Sequence, residues 1–189
     1  MSVLFVGALP EEVAGIEGRA RVLHLGVGKV QAAMTLAHHL ATTREPVSLV
    51  VNAGTAGTLR EHRVGDLVEV ATVVQHDFDH EALSALVGRR LPGGPIELSG
   101  AHGADAWLAT GDRFITDPVE RARLARSADL VDMEGYAVAA TSMRFGVPAR
   151  IVKCVSDTAG LDADISWREI LDVASHRLAE WAAERGFLA

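Results

Sequence analysis

The chain has 189 residues, 49% of them hydrophobic, with 18 glycines and a formal net charge of −7. That length suits one domain, residues 1–189, with a full core, and the apolar content excludes a disordered chain. The acidic balance argues against a nucleic-acid partner, which needs a basic stripe, and favours a small neutral or cationic ligand.

Ser2–Ala8 has the apolar character of a strand, and the stretch around it lacks the basic region and long apolar run of a signal peptide. Pro10 suits the first position of a helix. Glu11 and Glu12 follow; acids are commonplace in a first helical turn, yet their place after a first strand makes one of them a candidate base. Arg21–Leu25 is expected as a second strand, running into Gly26-Val27-Gly28-Lys29-Val30. This is not a phosphate loop, because Leu23 and Val30 stand where glycine and Ser/Thr are needed. It is not a dinucleotide fingerprint either, since Gln31 holds the third glycine position. A glycine turn at the start of a helix, Lys29–Thr43, remains. Val47–Asn52 is expected as a third strand and Gly54-Thr55-Ala56-Gly57 as a second glycine-rich turn, where small residues let a ligand approach the backbone.

Leu67–Val74 has the β-branched character of a fourth strand. His76-Asp77-Phe78-Asp79-His80 contains metal-ligand types but no helical His pair and no second cluster, and is expected as a polar loop. Glu81–Gly103 is turn-rich and carries no clear element. Ala106–Thr110 is a further strand, Gly111–Thr116 a polar turn bearing Phe114, and Asp117–Ser127 a helix with Pro118 at its start. Phe114 suits either the core or stacking on a planar ligand.

The stretch Asp129–Ala159 is the most informative. An apolar run, Leu130-Val131, meets Asp132-Met133-Glu134. A helical period then ends in Gly146 and Pro148, the expected order of stop signals. Ile151–Val155 is an apolar strand broken by Lys153 and closed by Ser156-Asp157. Glu134 alone could be a helix-start acid, and Asp157 alone an N-cap or turn residue. Together they mark a helix start and a strand end, where open α/β sheets bind ligands. Ile165–Phe187 is an amphipathic helix whose Ile170, Val173, Leu178 and Trp181 are expected in the core, with its aromatics as packing. The lone Cys154 builds no disulfide and fits a reducing compartment, and no apolar run nears the ~20 residues that span a bilayer. A cytoplasmic protein is expected.

Six of these pieces occur in an order that resembles the nucleoside phosphorylase and nucleosidase superfamily, and within it the methylthioadenosine/S-adenosylhomocysteine nucleosidases. They are Val6–Val13, Gly26–Val30, Asn52–Gly57, Gly111–Ile115, Val131–Gly135 and Val155–Asp157. The resemblance implies a three-layer α/β/α sandwich around a twisted, partly barrel-like mixed sheet. It implies cleavage of a purine nucleoside by a homodimer; no metal or other cofactor is expected, and the acidic charge and short apolar runs leave neither nucleic acid nor membrane as an expected partner.

It also implies roles. Glu12 matches the glutamate that activates water, and Asp157 the acid at N7 of the purine. Glu134 matches the carboxylate on the ribose hydroxyls and Met133 its packing neighbour. Phe114 matches the ring that stacks on the base, and Ile115 the residue whose backbone reads the base edge. Thr55 stands where the nucleosidases carry Ser, and Val27 and Ser156 belong to matched substrate-binding motifs. Relatives are longer, with the shortening between His80 and Ala106, and Lys153 replaces an arginine. A phosphorylase would need cations for its phosphate. The Gly7–Val13 turn has two glutamates and no base, and Asn52 replaces an arginine of similar phosphorylases. The expectation is therefore hydrolysis of a 5′-modified adenine nucleoside by water. A phosphorylase or futalosine-type hydrolase is the alternative, ahead of a binding module without chemistry.

Overall fold

The computed structural model describes residues 2–99, 103–160 and 163–188. Its elements are β1 (Val3–Gly7), α1 (Pro10–Val13), β2 (Arg21–His24), α2 (Lys29–Thr42), β3 (Leu49–Thr58), β4 (Leu67–Gln75), α3 (His80–Val87), β5 (Ile96–Glu97), β6 (Ala106–Thr110), α4 (Pro118–Leu124), β7 (Leu130–Asp132), α5 (Gly135–Arg144), β8 (Ala149–Asp157) and α6 (Ala163–Glu184).

The strands form one mixed sheet in which β3 is central. It pairs in parallel with β1 and β8 and antiparallel with β7. Strand β8 pairs antiparallel with β4, β4 in parallel with β6, and β6 in parallel with β7. Followed from β3 through β8, β4, β6 and β7, the pairings return to β3, so five strands make a closed circuit. Strands β1 and β2 extend it on one side and β5 on the other.

Alternation along the strands sends side chains to opposite faces. Phe5, Val51, Ala53, Val152 and Cys154 meet Ile16, Leu178 and Trp181 beneath α1 and α6. Leu4, Val6 and Val50 meet Leu36 of α2 and Val138 of α5 on the other face. A third cluster fills the circuit from Val70, Val73, Leu108, Ile151 and Val155.

Three expectations need correction. Gly54–Gly57 is not a turn but the second half of β3, whose ten residues are all buried. Its glycines do not bend the chain; they leave room beside it. A Cβ on Gly54 would lie 3.2 Å from Glu12 Oε1, and one on Gly57 2.8 Å from Asp157 Oδ1. Second, the stretch without a clear element contains helix α3, capped by the Asp79 side chain and closed by Gly88 with positive φ, and the short strand β5. Residues 100–102 of that stretch lie outside the described residues. Third, α6 does not bury every apolar position of its stripe: Leu178 and Trp181 are core, whereas Val173 is 48% exposed. The side chain of Ile165 lies outside the described residues.

Unequal burial on α6 has a measurable consequence. Leu178→Ala leaves a cavity and is expected to cost ~2–5 kcal/mol, while Val173→Ala should stay within ~0.5 kcal/mol. Denaturant unfolding of the two variants checks this, and similar losses would contradict the assigned faces.

Candidate active site

All nine residues singled out in the sequence line one pocket of about 310 Å³. It opens where β3, β7 and β8 end and where α1 and α5 begin.

Glu12 enters from α1. Pro10 starts this helix, and successive residues on it are rotated by ~100°. Glu11 therefore faces solvent while Glu12 is 5% exposed. Its Oε2 accepts from the Ala8 and Leu9 backbone N–H groups at 3.1 and 3.2 Å. Its Oε1 accepts from the Thr55 N–H at 2.9 Å and the Thr55 hydroxyl at 2.7 Å. The indole N–H of Trp167 donates in turn to Thr55 Oγ1 at 3.0 Å.

The β7–α5 junction supplies two more carboxylates with separate duties. Asp132 caps the helix: its Oδ2 accepts from the Gly135 N–H at 2.8 Å, and its Oδ1 accepts from the Thr110 hydroxyl at 2.6 Å. Lys153 Nζ, 2% exposed, pairs with Asp132 Oδ2 at 2.9 Å. Because Asp132 serves the helix terminus, Glu134 makes no side-chain cap bond. Instead it crosses to the glycine turn before α2, where Oε1 accepts from the Gly28 N–H at 2.7 Å. That amide engages a protein carboxylate. Burial pushes the Glu134 carboxyl up to about 7, helped by the neighbouring Asp132 and Glu12 charges and opposed by Lys153 and the Gly28 N–H. Burial also works against the Lys153 charge, but Asp132, Glu134 and Glu12 outweigh it and hold the ammonium above its ordinary value.

Asp157 ends β8. A register shift opposite Ala56 and Gly57 sets it against β3, and the missing side chain of Gly57 makes the space it occupies. Its Oδ2 accepts from the Ser156 hydroxyl at 2.7 Å and its Oδ1 from the Ala159 N–H at 2.7 Å. Burial raises its carboxyl above the ordinary aspartate value, against the pull of both hydrogen bonds.

Phe114 and Val27 stand at the mouth, each about half exposed, while Ile115 is buried and Met133 half-buried. The two loops carrying Val27 and Phe114 are clasped together. The Lys29 N–H donates to Asp112 Oδ1 at 2.7 Å, Lys29 Nζ pairs with Asp77, and the Asp112 N–H donates to Asp77 Oδ2 at 2.9 Å. The acids of His76–His80 thus serve structure, Asp77 in this clasp and Asp79 as the cap of α3.

Sequence reasoning left out Leu9, Asp132 and Trp167 as wall residues. Treating the aromatics of α6 as packing holds for Trp181 and fails for Trp167, which stands beyond the apolar stripe at the pocket. A base inside an apolar strand was the available signal for the Lys153–Asp132 pair, since a buried cation demands a partner.

The sequence profile of the phosphorylase superfamily matches residues 12–184. A 5′-methylthioadenosine/S-adenosylhomocysteine nucleosidase of Geobacillus thermodenitrificans is 32% identical, over 95% of this chain and 94% of its own. The Helicobacter pylori enzyme of that name, solved with butyl-thio-DADMe-Immucillin-A, superposes with a TM-score of 0.83 at 25% identity over 96% of both chains. A futalosine hydrolase from Helicobacter pylori superposes equally well, TM-score 0.83 over 96% and 95% of the chains, at 23% identity, a level that speaks for the fold alone. The chain therefore belongs to the phosphorylase superfamily and, within it, to the 5′-methylthioadenosine/S-adenosylhomocysteine nucleosidases.

Proposed function

We propose that the pocket hydrolyses the N-glycosidic bond of a 5′-modified adenine nucleoside of the methylthioadenosine or S-adenosylhomocysteine type. One observation carries this: a single pocket holds a buried glutamate fixed by four donors and a buried aspartate biased toward its protonated form. A carboxyl placed to take a proton and another biased to hold one are the ingredients of general base and general acid catalysis.

In this reading the purine lies between Phe114 and Asp157, with the Ile115 backbone at its edge, and the ribose lies over Met133. Glu134 accepts the ribose hydroxyls. Glu12 takes a proton from water, whose oxygen bonds to C1′ as the C1′–N9 bond breaks. The bonding pair leaves with the base, and Asp157, oriented by Ser156, delivers its proton to N7. Positive charge building on the sugar is opposed by Glu134, and negative charge on the base is relieved by Asp157. The products are adenine and a 5′-modified ribose. Thr55 and Val27 complete the walls.

Water rather than phosphate is supported by the acids of α1 and by Asn52. This residue is buried, and its side-chain N–H donates to the Val6 carbonyl at 3.1 Å. We read the chain as one domain in three α/β/α layers, supported by helices α1 and α6 on one sheet face and α2 and α5 on the other. A homodimer is supported by exposed Leu83, Leu86 and Val87 on α3 and by Val30 and Met34 on α2. A cytoplasmic setting is supported by the free, buried Cys154. Among the described residues no helix is long and apolar enough to cross a membrane.

Base release from a panel of 5′-modified adenine nucleosides should be indifferent to added phosphate and yield free sugar; a sugar 1-phosphate as main product would refute the hydrolase reading. Asp157→Asn should lower kcat by ~10²–10⁴-fold while leaving nucleoside binding nearly unchanged, as calorimetry can check, because asparagine can donate to N7 but cannot transfer a proton.

The buried Glu134 makes a pH prediction. Folding raises its pKa from 4.5 to about 7, so the folded state binds this proton more tightly than the unfolded chain. The resulting stability is complete below about pH 4.5 and lost as pH rises through about 7. Glu134→Gln removes that dependence. Urea unfolding should show its stability relative to wild type growing by on the order of 3 kcal/mol between pH 4.5 and 8. A constant difference would mean that Glu134 is not the group titrating there.

A further inference from the structure

Glu12 has no free acceptor position. Backbone amides of Ala8 and Leu9 engage Oε2, and the amide and hydroxyl of Thr55 engage Oε1. An ionised carboxylate offers about four lone-pair sites. A proton taken from water must therefore arrive where a donor leaves. Three of the donors are backbone groups held by β3 and by the turn into α1, and they cannot rotate away. The Thr55 hydroxyl can give way, because its hydrogen already points at Oε1 and can be replaced on Oγ1 by a proton from the pocket. Trp167 donates to that same oxygen at 3.0 Å.

We propose that Trp167 is a positioning residue for the reaction, its indole N–H anchoring the Thr55 oxygen so that the hydroxyl serves as the one releasable donor to Glu12. In the resting pocket the hydroxyl hydrogen points at Oε1, since Trp167 occupies one lone pair of Oγ1. The hydroxyl then passes its own hydrogen to Glu12 Oε1 while the lone pair of Oγ1 that faces the pocket takes the proton of water. The water oxygen bonds to C1′; Thr55 ends with one hydrogen, as it began, and Trp167 keeps its own. Without the indole N–H the threonine oxygen is held only by its rotamer and by the bond to Glu12 that the proton transfer itself disturbs. The proposal rests on the hydrolase reading above.

The test is a double-mutant cycle on kcat between Trp167→Phe, which keeps a ring but removes the N–H, and Thr55→Val, which keeps the shape but removes the hydroxyl. In the wild-type background Trp167→Phe should lower kcat about tenfold with KM changed less than about twofold. In the Thr55→Val background it should change kcat less than about twofold, because the indole then has nothing to anchor. Equal losses in both backgrounds, no loss in either, or an effect confined to KM would each overturn the proposal; the last would make Trp167 only a wall of the pocket. The indole N–H resonance of Trp167, identified by its loss in Trp167→Phe, reads the contact without catalysis. It should move in Thr55→Val, and an unmoved resonance overturns the relay. Failure of wild type to release base from any nucleoside would sink the hydrolase reading instead, leaving the contact to be decided by that resonance.

Discussion

One buried ammonium allows this pocket to exist. Glu12, Asp132 and Glu134 are each nearly inaccessible, and three carboxylates gathered in apolar surroundings repel one another and lose their hydration. Lys153, itself buried, pairs with Asp132 and lowers the cost of ionising Glu134. Removing one member of such a pair leaves an uncompensated charge, which is far more costly than the pair is stabilising. Backbone amides do the rest: those of Ala8, Leu9 and Thr55 for Glu12, Gly28 for Glu134, Gly135 for Asp132 and Ala159 for Asp157. Each carboxyl thus has its own donor set, which fixes its orientation at the rim, while burial raises Glu134 and Asp157 against the pull of their donors.

Sheet closure brings these donors together. Because the pairings circle from β3 back to itself, the ends of β3, β7 and β8 lie at one rim, though they are far apart in the chain. Helices α1 and α5 begin there too, so Glu12 and Glu134 reach the rim from the first turn of one helix and the cap position of another. The loops outside are fastened to each other through Lys29, Asp77 and Asp112, so the mouth of the pocket depends on charge pairing as its floor does.

The candidate site was largely legible in the sequence because its residues sit at punctuation: Glu12 after a strand and proline, Glu134 before a helical period, Asp157 at the end of an apolar run. The order of six short motifs then placed these in one family. Strand β3 was misread because Gly-Thr-Ala-Gly has turn composition, and nothing local reveals that Glu12 and Asp157 will need the space where side chains are missing. Helix α3 was missed for a related reason. Its residues are exposed or half-buried, so no contrast of faces marked it. Trp167 was misjudged because periodicity reports which face of a helix is apolar, whereas the role of an indole N–H depends on what stands across the cleft. Lys153 was visible, but its partner was not, since Asp132 lies on a different strand.

The glycines of β3 have a consequence for how this protein can change. Glycine inside a strand gives up side-chain packing and costs backbone entropy, ~0.5–1 kcal/mol relative to alanine. Here two such positions occupy the most central strand, where sheets usually draw their cohesion from β-branched residues. The usual stabilising exchange of glycine for alanine is closed at both, since the added carbon would press on Glu12 or Asp157. Any gain in thermal robustness must therefore come from the periphery, from helix surfaces and outer loops, while the middle of the sheet keeps its two glycines so that two carboxylates can lie against it.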